Sequence, residues 1–509
     1  MARIGRERVM PAASSLNILF VSPEAAPYAK TGGLADVVGA LPREVARLGH
    51  EVRLVLPRYG TIDGAAHGLR EWGRLAVPTS AGIVSAEVEE GRLPGSDVPV
   101  FTIGHAPFFG RQGLYGEAGA DYPDNLERFA FFCRAAMELL LAFARVSRWK
   151  CDVLHAHDWQ AALSVAYLKS LYAKRPEFKK LGSLFTVHNL GYQGLFPATA
   201  LPKTGLGAEL FTPKTLEYFG QISLLKAGLV FADLLTTVSP TYSREIQTPE
   251  FGAGLDGVLR ERKDRLSGVV NGIDLETWNP SADPHLAAHY SASDLAGKRH
   301  CKEALQRELS LPVRDVPLLA VISRFTPQKG LDLVAEVLPE LMRLDVQVAL
   351  LGTGDPPLEL QFQSLRMRYP DKLGLRIGFD DALAHAIEAG ADIFLMPSRY
   401  EPCGLSQLYS LRYGTVPVVR RTGGLADTVV AYTPRTAAEG RATGFAFTEA
   451  TPEALLTTIL LALRVYADRD EWTELMKAGM ATEVSWFRSA EAYVGLYRRL
   501  REPRPRAKG

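Results

Sequence analysis

One seven-residue pattern occurs twice in this chain of 509 residues and limits the folds it can adopt. Residues 30–36 are Lys-Thr-Gly-Gly-Leu-Ala-Asp, and residues 421–427 are Arg-Thr-Gly-Gly-Leu-Ala-Asp. Each copy precedes an apolar helical pattern. A strand, a glycine turn and a helix in that order form the building block of a parallel, doubly wound sheet. The duplication therefore predicts an α/β chain with two similar halves.

Short apolar runs predict the strands of two such sheets. In the first half of the chain they lie at residues 16–21, 51–56, 98–103, 152–156, 183–187 and 234–238. In the second half they lie at residues 317–323, 347–351, 375–378, 393–397 and 416–419. Amphipathic stretches between them predict helices, the longest at 126–146. We therefore predict Rossmann-like domains over 16–266 and 267–485, after a disordered leader at 1–15.

The charge balance argues against nucleic acid and anionic membranes as partners. The chain has 58 Lys and Arg against 57 Asp and Glu, a formal net charge of +1. Such partners usually select a clearly basic face or domain. The longest unbroken apolar run, 139–144, is far short of the roughly 20 residues that a membrane-spanning helix needs. A neutral or small anionic ligand fits this composition.

The cysteine and histidine spacings indicate neither a metal site nor a disulfide framework. The four cysteines stand singly, with no CxxC spacing, which fits a reducing cytoplasm. His155, His157 and Asp158 end a predicted strand, but adjacent strand residues point to opposite faces and no HExxH pattern accompanies them. The Gly-x-Gly at 352–354 lacks the third glycine of a dinucleotide fingerprint. We expect no metal and no cofactor.

The duplicated pattern has the features of an anion-binding turn. Glycine permits close backbone approach, and the amides and dipole at a helix start attract negative charge. The simpler alternative is a pair of tight strand-to-helix turns, because glycine is common in such turns.

Two cations follow a predicted strand of the second half. Arg324 and Lys329 come directly after the apolar run at 317–323, so they are expected beyond the carboxyl edge of the sheet, where open α/β folds bind ligands. A bidentate Arg with a point-charge Lys suits a diphosphate whose negative charge grows as a bond to it breaks. Two solvated surface cations would show the same spacing.

A carboxylate in a loop bracketed by prolines precedes a predicted helix start at Leu405. Glu401 is placed to accept hydrogen bonds from sugar hydroxyls, while amides near 403–406 hold phosphate. The alternative for Glu401 is a helix-capping carboxylate. In the first half, Asp158 and His188 each follow a predicted strand and are candidates for the same kind of edge.

Taken together, these residues resemble the glycogen and starch synthases that use ADP-glucose, a family of retaining glycosyltransferases. The resemblance runs from about Asn17 to Arg499. Its most specific parts are residues 30–36, 155–159, 188–189, 271–274, Arg324 with Lys329, and 397–429.

The resemblance implies the GT-B fold, in which two Rossmann-like domains face a central cleft. It also implies that a helix within 486–509 returns to the first domain and that a basic tail follows it. The family makes Lys30 and Gly33 donor contacts of the first domain.

The resemblance further implies which residues act in the reaction. Arg324 and Lys329 would hold the diphosphate, Glu401 would bind the donor glucose, and His188 would lie near its reacting carbon. The remaining implied contacts are with ADP-glucose, by Asn271, Cys403, Gly404 and Leu405, and with the acceptor, by Tyr115 and Asp158.

The sequence departs from the wider family at two positions. Related retaining enzymes carry a second glutamate eight residues after the first, but Tyr409 stands there, in agreement with the glycogen synthase branch. Ser406 replaces the usual threonine and keeps its hydroxyl.

The implied reaction moves glucose from ADP-glucose to the non-reducing end of an α-1,4-glucan and retains the α configuration. Three alternatives stay open: a GT-B transferase with UDP-glucose or another acceptor, a glucan-binding protein without activity, and a pyridoxal-phosphate glucan phosphorylase. The oligomeric state is not indicated by the sequence.

Overall fold

A computed structural model describes residues 15–117 and 119–502. The predicted leader falls almost wholly outside the described residues, as does the tail from 503 to 509. Within the described residues the chain forms two compact units. The first runs to Val187, resumes at Gly191–Leu235 and includes the segment that begins at Ala490. The second comprises His188–Leu190 and Thr236–Ser489. The predicted domain boundaries stay predictions.

The described residues contain twenty strands in chain order. They are β1 (Asn17–Val21), β2 (Glu51–Pro57), β3 (Arg70–Thr79), β4 (Gly82–Arg92), β5 (Pro99–Gly104), β6 (Gly116–Glu117), β7 (Ala120–Asp121), β8 (Val153–His157), β9 (Gly182–Val187), β10 (Leu195–Pro197), β11 (Glu217–Tyr218), β12 (Gln221–Ser223), β13 (Leu234–Thr237), β14 (Leu266–Gly268), β15 (Leu318–Ile322), β16 (Gln347–Gly352), β17 (Leu373–Ile377), β18 (Ile393–Met396), β19 (Val416–Arg420) and β20 (Phe445–Phe447).

Seventeen α-helices lie within the same residues. They are α1 (Gly33–Arg47), α2 (Ala106–Phe109), α3 (Asn125–Val146), α4 (Asp158–Lys169), α5 (Leu224–Phe231), α6 (Pro240–Glu245), α7 (Asp256–Glu261), α8 (Ala296–Glu308), α9 (Leu331–Leu341), α10 (Pro356–Arg368), α11 (Asp381–Gly390), α12 (Ser406–Arg412), α13 (Gly423–Thr428), α14 (Pro434–Ala438), α15 (Pro452–Tyr466), α16 (Arg469–Met480) and α17 (Trp486–Arg501). None of the helices that the structure describes is long and apolar enough to cross a membrane.

The larger sheet has the strand order β14-β13-β9-β8-β1-β2-β5-β4-β3. The neighbours β9, β8, β1, β2 and β5 pair in parallel, as the repeated strand–turn–helix pattern predicts. The antiparallel hairpin of β3 and β4 was not predicted. Buried and exposed residues alternate along both strands, so no continuous apolar run marks either of them. The division between the two units falls within β13.

Helix α17 packs in the first unit through buried aromatic side chains. The Tyr497 hydroxyl and the His155 Nδ1 are 2.8 Å apart, and both residues are fully buried. The other ring nitrogen of His155 lies 2.7 Å from the Thr186 hydroxyl. His155 is therefore a structural histidine.

The second unit contains a six-stranded sheet in the order β17-β16-β15-β18-β19-β20, and every pair in it is parallel. Its central strands β15, β16 and β18 are buried on both faces because helices cover both sides, which explains their nearly continuous apolar sequences. Two α/β sheets in one chain, one with a parallel centre and one parallel throughout, confirm the predicted fold class. The carboxyl end of β15 leads into the segment with Arg324 and Lys329, and that of β18 leads into the loop with Glu401. The carboxyl end of β19 leads into the second glycine pattern, at 421–427.

Candidate functional site

In the first unit, the Thr-Gly-Gly turn holds a carboxylate of the protein itself. Glu24 is 4% exposed and was missed by the sequence analysis. It accepts hydrogen bonds from the Thr31 amide at 2.6 Å, the Thr31 hydroxyl at 2.6 Å and the Gly32 amide at 3.3 Å. The turn therefore does bind an anion, as its sequence predicts, but this anion is internal. Glu24 lies seven positions before Thr31, but nothing in the sequence marks it as buried.

The predicted donor contacts Lys30 and Gly33 flank this turn. Lys30 is half-exposed and pairs with Asp36 at 2.8 Å. Gly33 is exposed and is the first residue of α1. Because the Glu24 carboxylate already takes the two preceding amides, the ammonium group of Lys30 is the stronger candidate of the two for an external phosphate.

Tyr115, a predicted acceptor-side residue, donates its hydroxyl to the same Glu24 carboxylate at 2.6 Å. Burial, together with the charge of Glu24, raises the pKa of Tyr115 well above its usual value, so the phenol stays neutral. Asp158, the other predicted acceptor-side residue, begins α4 with a φ of +56°. Left-handed backbone at a non-glycine residue is uncommon and is concentrated at functional sites.

In the second unit, Glu401 is 5% exposed and is held by two side chains. Its Oε2 atom accepts from the Lys329 Nζ at 2.6 Å and from the Ser398 hydroxyl at 2.9 Å. The structure thus brings Lys329 and Glu401 together, although 72 positions separate them in the sequence. The carboxylate is engaged by Lys329 and not by the start of α12, which rules against the capping alternative.

Arg324 is exposed on the segment that follows β15. Lys329 lies in a short 3-10 helix (Pro327–Lys329) of the same segment, and its side chain is 20% exposed. This segment begins at the carboxyl end of a parallel strand, the position at which open α/β sheets bind ligands. Both cations therefore lie at the predicted edge.

The second copy of the glycine pattern packs against the Glu401 loop. A Cβ atom on Gly423 would lie 1.9 Å from the Glu401 carbonyl oxygen, and one on Gly424 would lie 2.1 Å from the Cys403 carbonyl oxygen. Gly423 also has a φ of +43°. Both glycines are thus required for close backbone contact. The Gly423 amide donates to the Glu245 carboxylate at 3.0 Å, so this copy also binds an internal anion.

In the loop that follows Glu401, the backbone amides of Gly404 and Leu405 point to the same side. The Gln407 side chain donates to the Cys403 carbonyl at 3.0 Å and to the Gly404 carbonyl at 2.9 Å. In a trans peptide the N–H group points away from the carbonyl. The amides of Gly404 and Leu405 consequently point away from Gln407, as phosphate binding by this loop requires.

The Cys403 thiol is not a nucleophile at neutral pH. Burial raises its pKa to about 12, against the effect of a hydrogen bond with the Asn271 backbone. The reactive thiolate form is therefore scarce at pH 8. We expect iodoacetamide at pH 8 to label Cys403 only after the protein is unfolded, as measured by peptide mass spectrometry. Rapid labelling of the native protein at this residue would contradict the assignment.

Asn271 and His188 are both buried in the second unit. The Asn271 Oδ1 atom has no hydrogen-bond partner among the residues that the structure describes, so it is available as an acceptor. Burial lowers the pKa of His188 to about 3, and the imidazole is neutral at physiological pH. His188 can therefore supply a hydrogen bond, but not a positive charge, to a substrate.

Tyr409, which replaces the second glutamate of related enzymes, belongs to an aromatic stack. Its ring lies 3.7 Å from that of Trp278, and the other face of Trp278 lies 3.9 Å from the ring of His385. Asp283 accepts from the Tyr413 hydroxyl at 2.5 Å and lies 2.7 Å from His385. The side chain at 409 thus packs against a buried cluster that fixes α12, the helix that follows the Glu401 loop.

The known proteins that are similar to this chain are glycosyltransferases. Residues 17–261 match the model of the starch synthase catalytic domain, and residues 303–477 match that of glycosyl transferases group 1. The chain is 52% identical to a glycogen synthase of Anaeromyxobacter dehalogenans strain 2CP-C, over 95% of this chain and 100% of the relative. It is 47% identical to glycogen synthase 2 of Geobacter sulfurreducens, over 95% of this chain and 98% of the relative.

A solved structure matches at the level of the fold as well. The catalytic domain of starch synthase IV from Arabidopsis thaliana, bound to ADP and acarbose, superposes with a TM-score of 0.88 at 34% sequence identity. The match covers 96% of this chain and 99% of that one. The predicted GT-B class is confirmed by this likeness. The chain therefore belongs to the glycogen synthase and starch synthase family of glycosyltransferases.

Proposed function

We propose that this protein transfers glucose from ADP-glucose to the non-reducing end of an α-1,4-glucan, with retention of the α configuration and release of ADP. The observation that carries the proposal is the pairing of Lys329 with the buried Glu401 at 2.6 Å, next to the sheet edge that also bears Arg324. Cations for a diphosphate and a carboxylate for a sugar are thereby combined in one place. The relative bound to ADP and acarbose supports both the donor and the acceptor.

The donor contacts follow from the chemistry of each group. Arg324 and Lys329 neutralise the pyrophosphate as it departs, and Glu401 accepts hydrogen bonds from the glucose hydroxyls. Neutral His188 donates or accepts near the reacting carbon without repelling positive charge that develops there. The remaining contacts to ADP-glucose are made by Lys30, Gly33, Asn271, and the amides of Cys403, Gly404 and Leu405. Tyr115 and Asp158 contact the acceptor.

Retention is proposed to occur on one face of the sugar. The bond between glucose C1 and the phosphate oxygen breaks, and a bond from C1 to the acceptor 4-oxygen forms. The proton of the acceptor hydroxyl passes to the departing phosphate. A covalent glucosyl intermediate would need a second carboxylate close to the first, and Tyr409 occupies the position where related enzymes have one.

Two further features belong to this proposal. The four cysteines at 133, 151, 301 and 403 are free, which is consistent with a reducing cytoplasm. We propose functional domains at 16–266 and 267–485, with a segment at 486–509 that returns to the first domain.

The decisive experiment measures ADP release from ADP-glucose with and without glycogen. We expect release that depends on the glucan and is much slower with UDP-glucose. Nucleotide release from UDP-glucose but not from ADP-glucose would show that the donor is UDP-glucose. Binding of glycogen without ADP release would indicate a glucan-binding protein, and formation of glucose 1-phosphate only with inorganic phosphate would indicate a phosphorylase.

A further inference from the structure

A buried carboxyl group on α11 is not used in the proposed reaction. Glu388 lies two residues before the end of α11 and is 1% exposed. Its Oε2 atom lies 2.8 Å from the Ser410 hydroxyl on α12. Its Oε1 atom has no hydrogen-bond partner among the residues that the structure describes. An ionised carboxylate with one such oxygen is costly to bury, and a neutral carboxylic acid is much less so.

The surroundings of the Ser410 hydroxyl show where a proton is needed. Its Oγ atom lies 2.8 Å from Glu388 Oε2 and also 2.8 Å from the carbonyl oxygen of Ser406, the first residue of α12. A hydroxyl group has one hydrogen to donate, and a carbonyl oxygen can only accept. An ionised Glu388 would compete with Ser406 for that single hydrogen. A protonated Glu388 donates to Ser410 while Ser410 donates to Ser406, so both contacts become hydrogen bonds.

The cation that faces Glu388 already has other acceptors. Lys298 on α8 donates to the Thr415 hydroxyl at 2.7 Å, to the Ala389 carbonyl at 2.9 Å and to the Tyr413 carbonyl at 3.1 Å. These three acceptors match the three hydrogens of its ammonium group. Its contact with Glu388, at 3.5 Å, is with the backbone carbonyl and not with the carboxyl group. Lys298 therefore does not take the place of a donor to that carboxyl group.

Burial dominates the ionisation of this carboxyl group. It raises the pKa of Glu388 to about 8, against the opposing effects of the Ser410 hydrogen bond and the Lys298 charge. The other titratable groups that interact with Glu388 are the buried phenols of Tyr290 and Tyr413, and burial raises the pKa of each well above its usual value. Strands β15 and β16, which also pack against α11, carry no titratable residue. Glu388 thus keeps its proton at neutral pH.

Ser410 connects this proton to the proposed donor loop. Helix α12 begins at Ser406, directly after the amides of Gly404 and Leu405 that are proposed to hold phosphate. The bond from the Ser410 hydroxyl to the Ser406 carbonyl closes the first turn of this helix. Ionisation of Glu388 would draw the Ser410 hydrogen away and loosen the turn that adjoins these amides.

We propose that Glu388 is a positioning residue of the donor site, which carries a proton in the native protein and, through Ser410, fixes the first turn of α12. The inference deepens the proposed function and rests on it, because the amides that adjoin this turn are its proposed phosphate contacts. Binding of ADP-glucose then weakens above about pH 8, where Glu388 ionises.

The first test follows the KM for ADP-glucose with pH. Glu388→Gln gives Ser410 a donor that cannot ionise, and Glu388→Met fills the space without a donor. We expect the KM of the parent to rise about fivefold between about pH 7 and pH 9, as for the loss of one hydrogen bond. Glu388→Gln is expected to have the low KM at both pH values, and Glu388→Met the raised KM at both. The control is Glu336→Gln, which removes an exposed carboxylate on α9 of the same unit.

The second test measures thermal stability and needs no turnover. Glu388 ionises near its usual pKa of 4.5 in the unfolded chain, whereas the native protein holds the proton up to about pH 8. The native state binds more protons than the unfolded state between these values, so the stability of the parent falls as the pH rises through that window. Because Glu388→Gln cannot ionise, its Tm advantage over the parent is expected to grow from about pH 5 to pH 8 and then to stay constant.

The two readouts together decide the proposal. A Tm advantage that grows with pH, with a KM that no longer depends on pH in Glu388→Gln, supports it. A constant Tm difference shows that native Glu388 is ionised and overturns it. The same KM profile in the parent and in Glu388→Gln also overturns it, because the rise in KM then belongs to another group such as Lys298. If ADP release fails altogether, the proposed function and the positioning role both fail, while the Tm series still shows whether Glu388 carries the proton.

Discussion

Replacing Arg324 or Lys329 by alanine is expected to lower kcat for glucose transfer by about a hundredfold or more. Both residues follow β15 at the carboxyl edge of the sheet, where the leaving diphosphate gains negative charge. Loss of one preorganised donor to developing charge costs ~3 kcal/mol of transition-state stabilisation. The measurement is steady-state ADP release over a range of ADP-glucose concentrations at saturating glycogen. We expect KM for ADP-glucose to change less than kcat, because the interaction strengthens as the bond breaks.

The control for these variants is Arg343→Ala. Arg343 is an exposed arginine in the turn after α9, and it pairs with Glu340 at 2.7 Å. The substitution removes one positive charge from the same unit and leaves the sheet edge unchanged. Exposed ion pairs of this kind contribute little to stability. Near-normal turnover in both Arg324→Ala and Lys329→Ala would refute the assignment of the diphosphate contacts.

The second large effect is expected for Glu401→Gln, which we predict to lower kcat about a hundredfold. The substitution keeps the shape of the side chain but removes the charge that is paired with Lys329 at 2.6 Å. The Lys329 side chain, which is only 20% exposed, then loses its charged partner. A free ammonium group would shift toward other acceptors, and the sugar would lose its strongest hydrogen-bond acceptor.

A double-mutant cycle shows whether the two residues act as one unit. We expect Lys329→Ala combined with Glu401→Gln to be little worse than the more damaging single variant, because each change already breaks the same pair. Ser398→Ala is the matched control, since it removes only the hydroxyl that donates to Glu401 at 2.9 Å. Strictly additive losses would show that Lys329 and Glu401 act independently.

Local patterns in the sequence were sufficient for much of the fold. The apolar runs at residues 347–351 and 393–397 correspond to β16 and β18 to within one residue at each end. Strands buried on both faces are continuous in hydrophobicity, so they are visible without any tertiary information. The β3–β4 hairpin was not predicted because its alternating polar and apolar residues resemble a loop of mixed polarity.

The contacts that the site residues make could not be predicted from the sequence in the same way. Glu24 was missed because its role depends on the Thr31 turn and on Tyr115, which lies 91 positions away. No local sequence pattern predicts a contact between Glu24 and Tyr115. The two glycine turns are similar in sequence, yet each holds a carboxylate from a different place, Glu24 in one and Glu245 in the other.

By itself, the sequence determined that this chain forms two α/β sheets built largely of parallel strands. It also determined which residues follow those strands, because hydrophobic periodicity and glycine turns act over a few neighbouring positions. Only the tertiary structure decided which charges meet. It placed Lys329 on Glu401 and made His188 neutral by burial. Desolvation and pairing depend on atoms brought together from distant parts of the chain, and no local pattern records them.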